Sequence, residues 1–221
     1  MRTMFRTVLG LSLVALVASP AFAQGGRGFG MGGGGGYGML IGNSGVQKEL
    51  KLDDQQIEKA KELAAKARED MQGVREKLQG LEGEEQRTKR AEIMKEMNDS
   101  ALKAVGAFLK PEQIARLKQV SYHTQGARAL SDPEVAKKLN ITDRQKTEIQ
   151  AIVQESMEGM RGLFSQDQSE EDRATAMKKM AELRKEALDK ASAKLNDEQQ
   201  KTWKELLGAP FEFKPDPRPA Q

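Results

Sequence analysis

Cysteine is absent from this chain of 221 residues, and histidine and tryptophan occur once each. The lack of cysteine excludes disulfide bonds, thiol nucleophiles and thiolate metal sites. One imidazole, that of His123, cannot form a tight transition-metal site, and no serine motif or converging acid and base is recognisable. The sequence therefore predicts a protein that is not an enzyme and that has no catalytic residue, no metal site and no cofactor.

Aromatic residues make up only 5% of the chain, and neither sign of charge dominates, since 36 basic residues face 33 acidic ones. A nucleic-acid-binding protein would show a basic stretch or face, which this sequence lacks. Apolar residues form stripes with steps of three and four instead of blocks or alternation, so the predicted fold class is all-α. With few aromatics the core is thin, and we expect apolar surface to remain uncovered.

The first residues are typical of an export signal. Arg2 and Arg6 precede an apolar run at 8–17, and Ala21 and Ala23 supply small residues for cleavage, so residues 1–23 are predicted to be a signal peptide. The protein is expected to be periplasmic or secreted, without a transmembrane segment in the mature chain. A glycine-rich stretch at 24–43 predicts a flexible tether, and prolines predict an extended tail at 209–221.

One short pattern occurs four times: an aliphatic residue, a capping or polar residue, two further residues and a glutamine. Such a pattern predicts a helix start, because the capping side chain accepts from a free backbone N–H and the glutamine reaches back. Ser169 and Asp172 predict a further cap of this kind. The residues that define the four copies are Leu52, Asp53 and Gln56; Leu109, Lys110 and Gln113; Ile141, Thr142 and Gln145; and Leu195, Asn196 and Gln199.

The four copies belong to a tandem duplication. Val46 and Gln56 recur 89 residues later as Val135 and Gln145, and further along the offset becomes 86. The predicted units are residues 44–130 and 131–208. Each contains a pair of long helices with coiled-coil-like apolar seams, which favours an antiparallel hairpin. The predicted long helices span 54–81, 84–108, 142–164 and 169–194, and short helices span 111–123 and 197–207.

The motif copies, the export signal and the helical composition together resemble the LTxxQ-motif periplasmic proteins typified by Spy and CpxP. The resemblance covers residues 44–207. Family members carry two copies of the motif per chain, whereas this chain carries four. Only the copy at Ile141 keeps the family's threonine, Thr142, and the others have Asp53, Lys110 or Asn196 in its place.

The resemblance implies an ATP-independent chaperone or envelope-stress protein that holds unfolded or partly folded envelope proteins on a concave helical cradle. Family members build the cradle as homodimers, so this duplicated chain is expected to form it either from its own two halves or as a homodimer. Two alternatives stay open. One is a regulator or scaffold that docks on a specific envelope partner such as a sensor, as CpxP-like members do, and the other is a metal-responsive envelope protein.

Methionines are the first candidates for client contact, because flexible thioether side chains suit surfaces that accept many partners. Two pairs lie three residues apart on predicted helices, and an arginine and a phenylalanine neighbour the first pair. The competing interpretation places the same methionines in the hairpin seam. The candidate client-binding residues are Met157, Met160, Arg161, Phe164, Met177 and Met180.

Overall fold

The computed structural model describes residues 36–163, 169–214 and 216, with the side chain of Glu170 excepted. No strand occurs in these residues, and the predicted all-α class is confirmed. Within the same ranges no helix is both long and apolar enough to cross a membrane. The predicted signal peptide lies outside the described residues, as do Phe164, residues 24–35 of the predicted tether and most of the predicted tail beyond Lys214.

The helices follow one another with short connections. In chain order they are α1 (Gly36–Leu40), α2 (Ser44–Glu49), α3 (Asp54–Lys77), α4 (Gly83–Val105), α5 (Pro111–Gln125), a 3₁₀ helix (Gly126–Ser131), α6 (Pro133–Lys138), α7 (Asp143–Arg161), α8 (Glu170–Ser192) and α9 (Asp197–Leu207). Each long helix ends two to four residues before its predicted end. The order short, long, long, short occurs twice, as α2–α5 and as α6–α9.

Side-chain caps explain where the helices begin. The side chains of Asp53, Thr142 and Asn196 each accept from the backbone N–H three residues later, and Ser169 does the same for α8. Two longer helices begin without such a bond: α4 after Glu82, and α5 after Lys110, whose ammonium group has no acceptor. There the N–H of Lys110 donates to Gln113 at 2.9 Å, and Pro111 fills the first helical position, where no donor is needed.

The turn into each hairpin has the same backbone conformation in both halves. Lys51 has φ of 51° and Asn140 has φ of 49°, and these are the only non-glycine residues with positive φ among those described. They stand 89 residues apart, at the offset seen in the sequence. The left-handed region is sterically costly for residues with a Cβ, so its occurrence at both positions indicates one inherited turn.

Residues 36–43 do not continue the predicted flexible tether. Tyr37, Leu40 and Ile41 are buried, and α1 packs against both α3 and α4. The 3₁₀ helix takes the corresponding place against α7 and α8, with Leu130 only 1% exposed where Ile41 is 0% exposed. A short helix that packs against the following hairpin therefore precedes both α2 and α6.

Glycine and alanine allow α1 to approach the first hairpin closely. A Cβ added to Gly38 would lie 2.8 Å from the Cβ of Ala67, and one added to Gly42 would collide with Ala64. Real Cβ atoms do not approach so closely, so only glycine fits at these two positions. Composition alone gives the opposite expectation, since a glycine-rich stretch loses much backbone entropy on ordering.

Two main cores are joined by α5. The first core contains Ile41 and Val46 with Leu117 and Val120 of α5, and the second contains Leu130, Ile149 and Trp203 with Tyr122, also of α5. A small third cluster of Val74, Leu78 and Ile93 lies at the far end of the first hairpin. Because one helix contributes to both main cores, the halves share buried surface.

The last described residues return to the first half. Phe211 packs against the first core, the Nδ2 of Asn43 donates to the carbonyl of Lys214 at 2.9 Å, and the N–H of Ser44 donates to the Asp216 carboxylate at 3.1 Å. Asp216 thus lies at the N-terminus of α2, where the helix dipole favours a negative charge. Phe213, by contrast, is 42% exposed.

Candidate functional site: glutamine clamps and two open grooves

The motif glutamines of the first half meet each other at the base of the hairpin. The Nε2 of Gln56 donates to the Oε1 of Gln113 at 2.9 Å, and the Nε2 of Gln113 donates back at 3.1 Å. Each side-chain amide also donates to a backbone carbonyl. Gln56 donates to the carbonyl of Phe108, and Gln113 donates to the carbonyl of Leu50. We call this reciprocal pair a glutamine clamp.

The second half repeats the clamp bond for bond. Gln145 donates to Gln199 at 2.7 Å and receives a bond at 3.1 Å, while Gln145 also donates to the carbonyl of Lys194 and Gln199 to that of Leu139. Lys194 and Leu139 lie 86 and 89 residues after Phe108 and Leu50, the two offsets of the duplication. The motif therefore does more than start helices. It ties the start of α3 to that of α5, and the start of α7 to that of α9.

The prediction from sequence missed that these glutamines meet, because each copy of the motif is sufficient for a local helix cap. A cap requires only the Oε1 of the glutamine, which accepts from the N–H of the capping residue. The Nε2 group is then left with two free donors, and a buried amide must satisfy them. This unused donor capacity at Gln56, Gln113 and Gln199, each under a tenth exposed, is the signal that points to a partner.

The predicted client-binding residues do not all lie on one surface. Met157 and Arg161 line an open groove, and Met157 is 38% exposed. Met160 and Met177 are half-buried, and Met180 is buried at 7% exposure. Phe164 lies outside the described residues.

We call the groove beside Met157 the arginine groove. It has a volume of about 520 Å³ and is lined by side chains from α4, the 3₁₀ helix and α7. Val153 and Met157 provide apolar surface, and Arg87, Arg128 and Arg161 provide positive charge. Sequence reasoning missed Arg87 and Arg128, because they are distant along the chain from the methionine pairs.

A second groove, the hairpin groove, lies between α3 and the C-terminal part of α4, with a volume of about 390 Å³. Leu63, Ala107 and Phe108 contribute apolar surface, and the charged residues that line the groove are Lys59, Glu62 and Lys66. This groove is not predicted from the sequence, because its apolar residues have the same spacing along their helices as buried core residues.

The two halves differ at the position of the hairpin groove. Phe108 corresponds to Lys194 and Lys66 to Glu155 under the offsets of 86 and 89. In the second half, Lys194 pairs with Glu148 at 3.3 Å and Lys190 with Glu155 at 3.5 Å. Ion pairs in the second hairpin thus occupy the positions that correspond to the apolar, open groove of the first hairpin.

Large apolar side chains are less exposed than the thin core led us to expect. In the described ranges, only Met157 and Phe213 among the large hydrophobic residues exceed a third of full exposure. The short helices α1 and 3₁₀ pack against the two hairpins, so less apolar surface is uncovered in the described ranges than expected. Half-buried Leu63 and Phe108 are accessible in the hairpin groove without standing out from the surface.

The imidazole of His123 contacts the backbone at the end of α9 and the start of the tail. The Nε2 of His123 lies 3.0 Å from the carbonyl oxygens of both Leu207 and Ala209. A protonated Nε2 can donate to these oxygens, which belong to the last residue of α9 and to the second residue after it. No cluster of three or more His, Cys, Asp or Glu side chains suited to a metal is found in the part of the chain that the structure describes.

Two buried tyrosines lie where the halves join. Burial, followed by the negative charges of Asp132 and Glu134, raises the pKa of Tyr37 from its ordinary 10.0 to about 12, although a hydrogen bond with Ser121 lowers it. The pKa of Tyr122 is raised by the same causes together with Tyr37. The pKa of Tyr37, in α1, is therefore affected by the carboxylates of Asp132 and Glu134, which belong to the second half.

These pKa values predict a loss of stability in alkali. The unfolded tyrosine ionises near pH 10, whereas folded Tyr37 keeps its proton until about pH 12. Its contribution is therefore complete below pH 10 and lost as the pH rises towards 12, a change on the order of 2 to 3 kcal/mol. Urea unfolding measured at several pH values across this window checks the expectation. Tyr37→Phe, which cannot ionise, should lose less stability than the wild type, and parallel losses would contradict it.

Comparison with known proteins adds no identity to this geometry. No protein-family model, no curated protein and no solved structure matches the chain.

Proposed function

We propose that the protein is an exported, ATP-independent chaperone-like protein that holds unfolded or partly folded envelope proteins on the open faces of its helical hairpins. The observation that carries the proposal is the pair of grooves, in which apolar side chains are accessible and positive side chains stand beside them. Unfolded segments expose apolar residues, and a shallow, open surface with nearby charge accepts many of them without demanding one shape.

The duplication supports a cradle formed within one chain. Two hairpins, each closed by a glutamine clamp, are joined through α5, which contributes to both cores. In this proposal the second hairpin supplies what a partner subunit supplies in the LTxxQ-motif proteins that the sequence resembles. The alternative of a homodimer is distinguished by the mass in solution, since an intrachain cradle corresponds to the monomer mass of the mature chain.

The test is suppression of aggregation without nucleotide. Several unrelated unfolded substrates are diluted from denaturant with increasing amounts of the mature protein, and light scattering is recorded. We expect reduced scattering of most substrates at equimolar or lower protein, unchanged by added ATP. The control is a helical protein of similar size that has similar numbers of basic and acidic residues. Substrates that aggregate as fast with this protein as with the control would refute the chaperone proposal.

The asymmetry of the two hairpins favours one second candidate, a regulator or scaffold that docks on a defined envelope partner such as a sensor. The groove is apolar at Phe108, whereas the second hairpin has Lys194 at the corresponding position. Such a difference favours one binding site per chain with a single orientation of the partner. In that case capture from envelope extracts recovers one abundant partner, and aggregation of unrelated substrates is unaffected. A metal-responsive role has no cluster of ligands to support it in the described residues.

A further inference from the structure

The arginine groove has an unbalanced charge. Arg87 comes from α4, Arg128 from the 3₁₀ helix and Arg161 from the last turn of α7, so three separate elements bring guanidinium groups to one groove. Glu158 is the one acidic residue that lines it. The groove therefore has a local excess of two positive charges, although the chain as a whole is close to neutral.

The three arginines have no ion-pair partner in the ranges that the structure describes. Many other cations in those ranges are neutralised nearby, as Arg116 is by Glu49 and Arg144 by Glu148, whereas Arg87, Arg128 and Arg161 form no such pair. Three positive charges that line one groove with a single negative charge, that of Glu158, repel one another, and a bound anion would reduce the repulsion.

Polar groups with free bonding capacity accompany the charge. Ser131, which lines the groove, has a buried Oγ without a hydrogen-bond partner among the described residues. Gln150 also lines the groove and has an amide that can donate. The pKa of half-buried Arg184 is lowered by burial and by the charge of Arg128.

We propose that the arginine groove binds a phosphate-type oxyanion, either free phosphate or pyrophosphate or the phosphate of a larger molecule. A phosphate group carries about 1.5 to 2 negative charges at neutral pH, which matches the excess of two positive charges. Guanidinium groups bind such an anion through paired N–H donors, and the free hydroxyl of Ser131 adds another donor. A single carboxylate would balance only half of the excess.

The site combines Arg87 of the first half with Arg128 and Arg161 of the second. Under the offset of 89, Arg128 corresponds to Met39 and Arg161 to Gln72, so the first half has no equivalent set of charges. The proposal is independent of client holding, because it concerns the charged side chains of the groove and needs no unfolded protein for its test.

Calorimetric titration of the mature protein with sodium pyrophosphate, in buffer of low chloride concentration, tests the proposal. We expect one binding site per chain, and we expect Arg128→Gln and Arg161→Gln each to weaken binding by about tenfold or more. The matched control is Arg68→Gln, which removes an exposed arginine of α3 that corresponds to Met157 and lies outside the groove. Its affinity should equal that of the wild type.

Sedimentation with vesicles distinguishes the sources of the phosphate. Binding of pyrophosphate in solution supports a free anion, whereas binding only to phosphatidic acid vesicles, whose phosphate monoester carries about 1.5 to 2 negative charges, and not to phosphatidylcholine vesicles, supports a lipid headgroup. The proposal is overturned if neither probe binds, or if Arg68→Gln weakens binding as much as Arg161→Gln does. Arg161 is exposed at a helix end, so its replacement should leave the circular dichroism spectrum unchanged and keep the result interpretable.

Discussion

Replacement of Gln199 by alanine is expected to lower the free energy of unfolding by about 3 kcal/mol. The Gln199 side chain donates to the carbonyl of Leu139 at 3.0 Å, accepts from the N–H of Asn196 at 2.9 Å and exchanges two bonds with Gln145. Its loss leaves one buried group and several half-buried groups without partners, and each buried group costs about 1 to 3 kcal/mol before water or local movement compensates. Urea unfolding followed by circular dichroism gives the value.

The matched control for this prediction is the adjacent glutamine. Gln200 lies on the same helix and makes one side-chain bond, to the carbonyl of Leu195 at 3.1 Å, so Gln200→Ala should cost about 1 kcal/mol or less. The double variant of Gln145 and Gln199 should lose less than the sum of the single variants, because each single change orphans the other amide. Equal costs for Gln199→Ala and Gln200→Ala would show that the clamp contributes no more to stability than one ordinary side-chain hydrogen bond.

Replacement of Trp203 by alanine is expected to cost about 3 to 5 kcal/mol. The indole is 4% exposed in the second core, and its ring centroid lies 6.2 Å from that of Tyr122 in a tilted arrangement. Truncation removes this aromatic contact and leaves a cavity between α9 and α5. The measurement is thermal and urea unfolding by circular dichroism, with Trp203→Phe as the control that keeps a ring and should lose less.

The shape of the Trp203→Ala transition is informative as well. Because α5 contributes Val120 to the first core and Tyr122 to the second, we expect both halves to unfold in one transition at a lower urea concentration. If the variant instead unfolds in two steps, with the later one unchanged from the wild type, the halves are independent and the joining role of α5 is wrong.

Local sequence signals predicted the helices well, because their causes are local. Asp53, Thr142, Ser169 and Asn196 each satisfy a backbone donor three residues away, a bond that depends on nothing else in the fold. The apolar stripes likewise determine which face of α3 is buried, as Ala60 and Ala64 show. The duplication was visible for the same reason, since a repeat is a property of the sequence itself.

Contacts between distant residues could not be predicted in this way. The order of residues 36–43 arises because Gly38 and Gly42 fit against Ala67 and Ala64, and composition alone favours a disordered stretch. Gln56 and Gln113 meet across 57 residues, and neither shows its partner in its own neighbourhood. The arginine groove combines three segments for the same reason, so only the Met157 and Arg161 part of it was foreseen.

The most direct measurement of client holding compares two charge insertions. Ala107 is exposed in the hairpin groove, and Ala65 is exposed on α3 outside it. Glutamate at position 107 places a desolvation cost on any apolar segment that enters the groove, whereas glutamate at 65 adds the same charge on a surface that lines neither groove. We predict that Ala107→Glu loses most of the suppression of aggregation and that Ala65→Glu keeps it. Equal activity of the two variants and the wild type would contradict client binding in the hairpin groove.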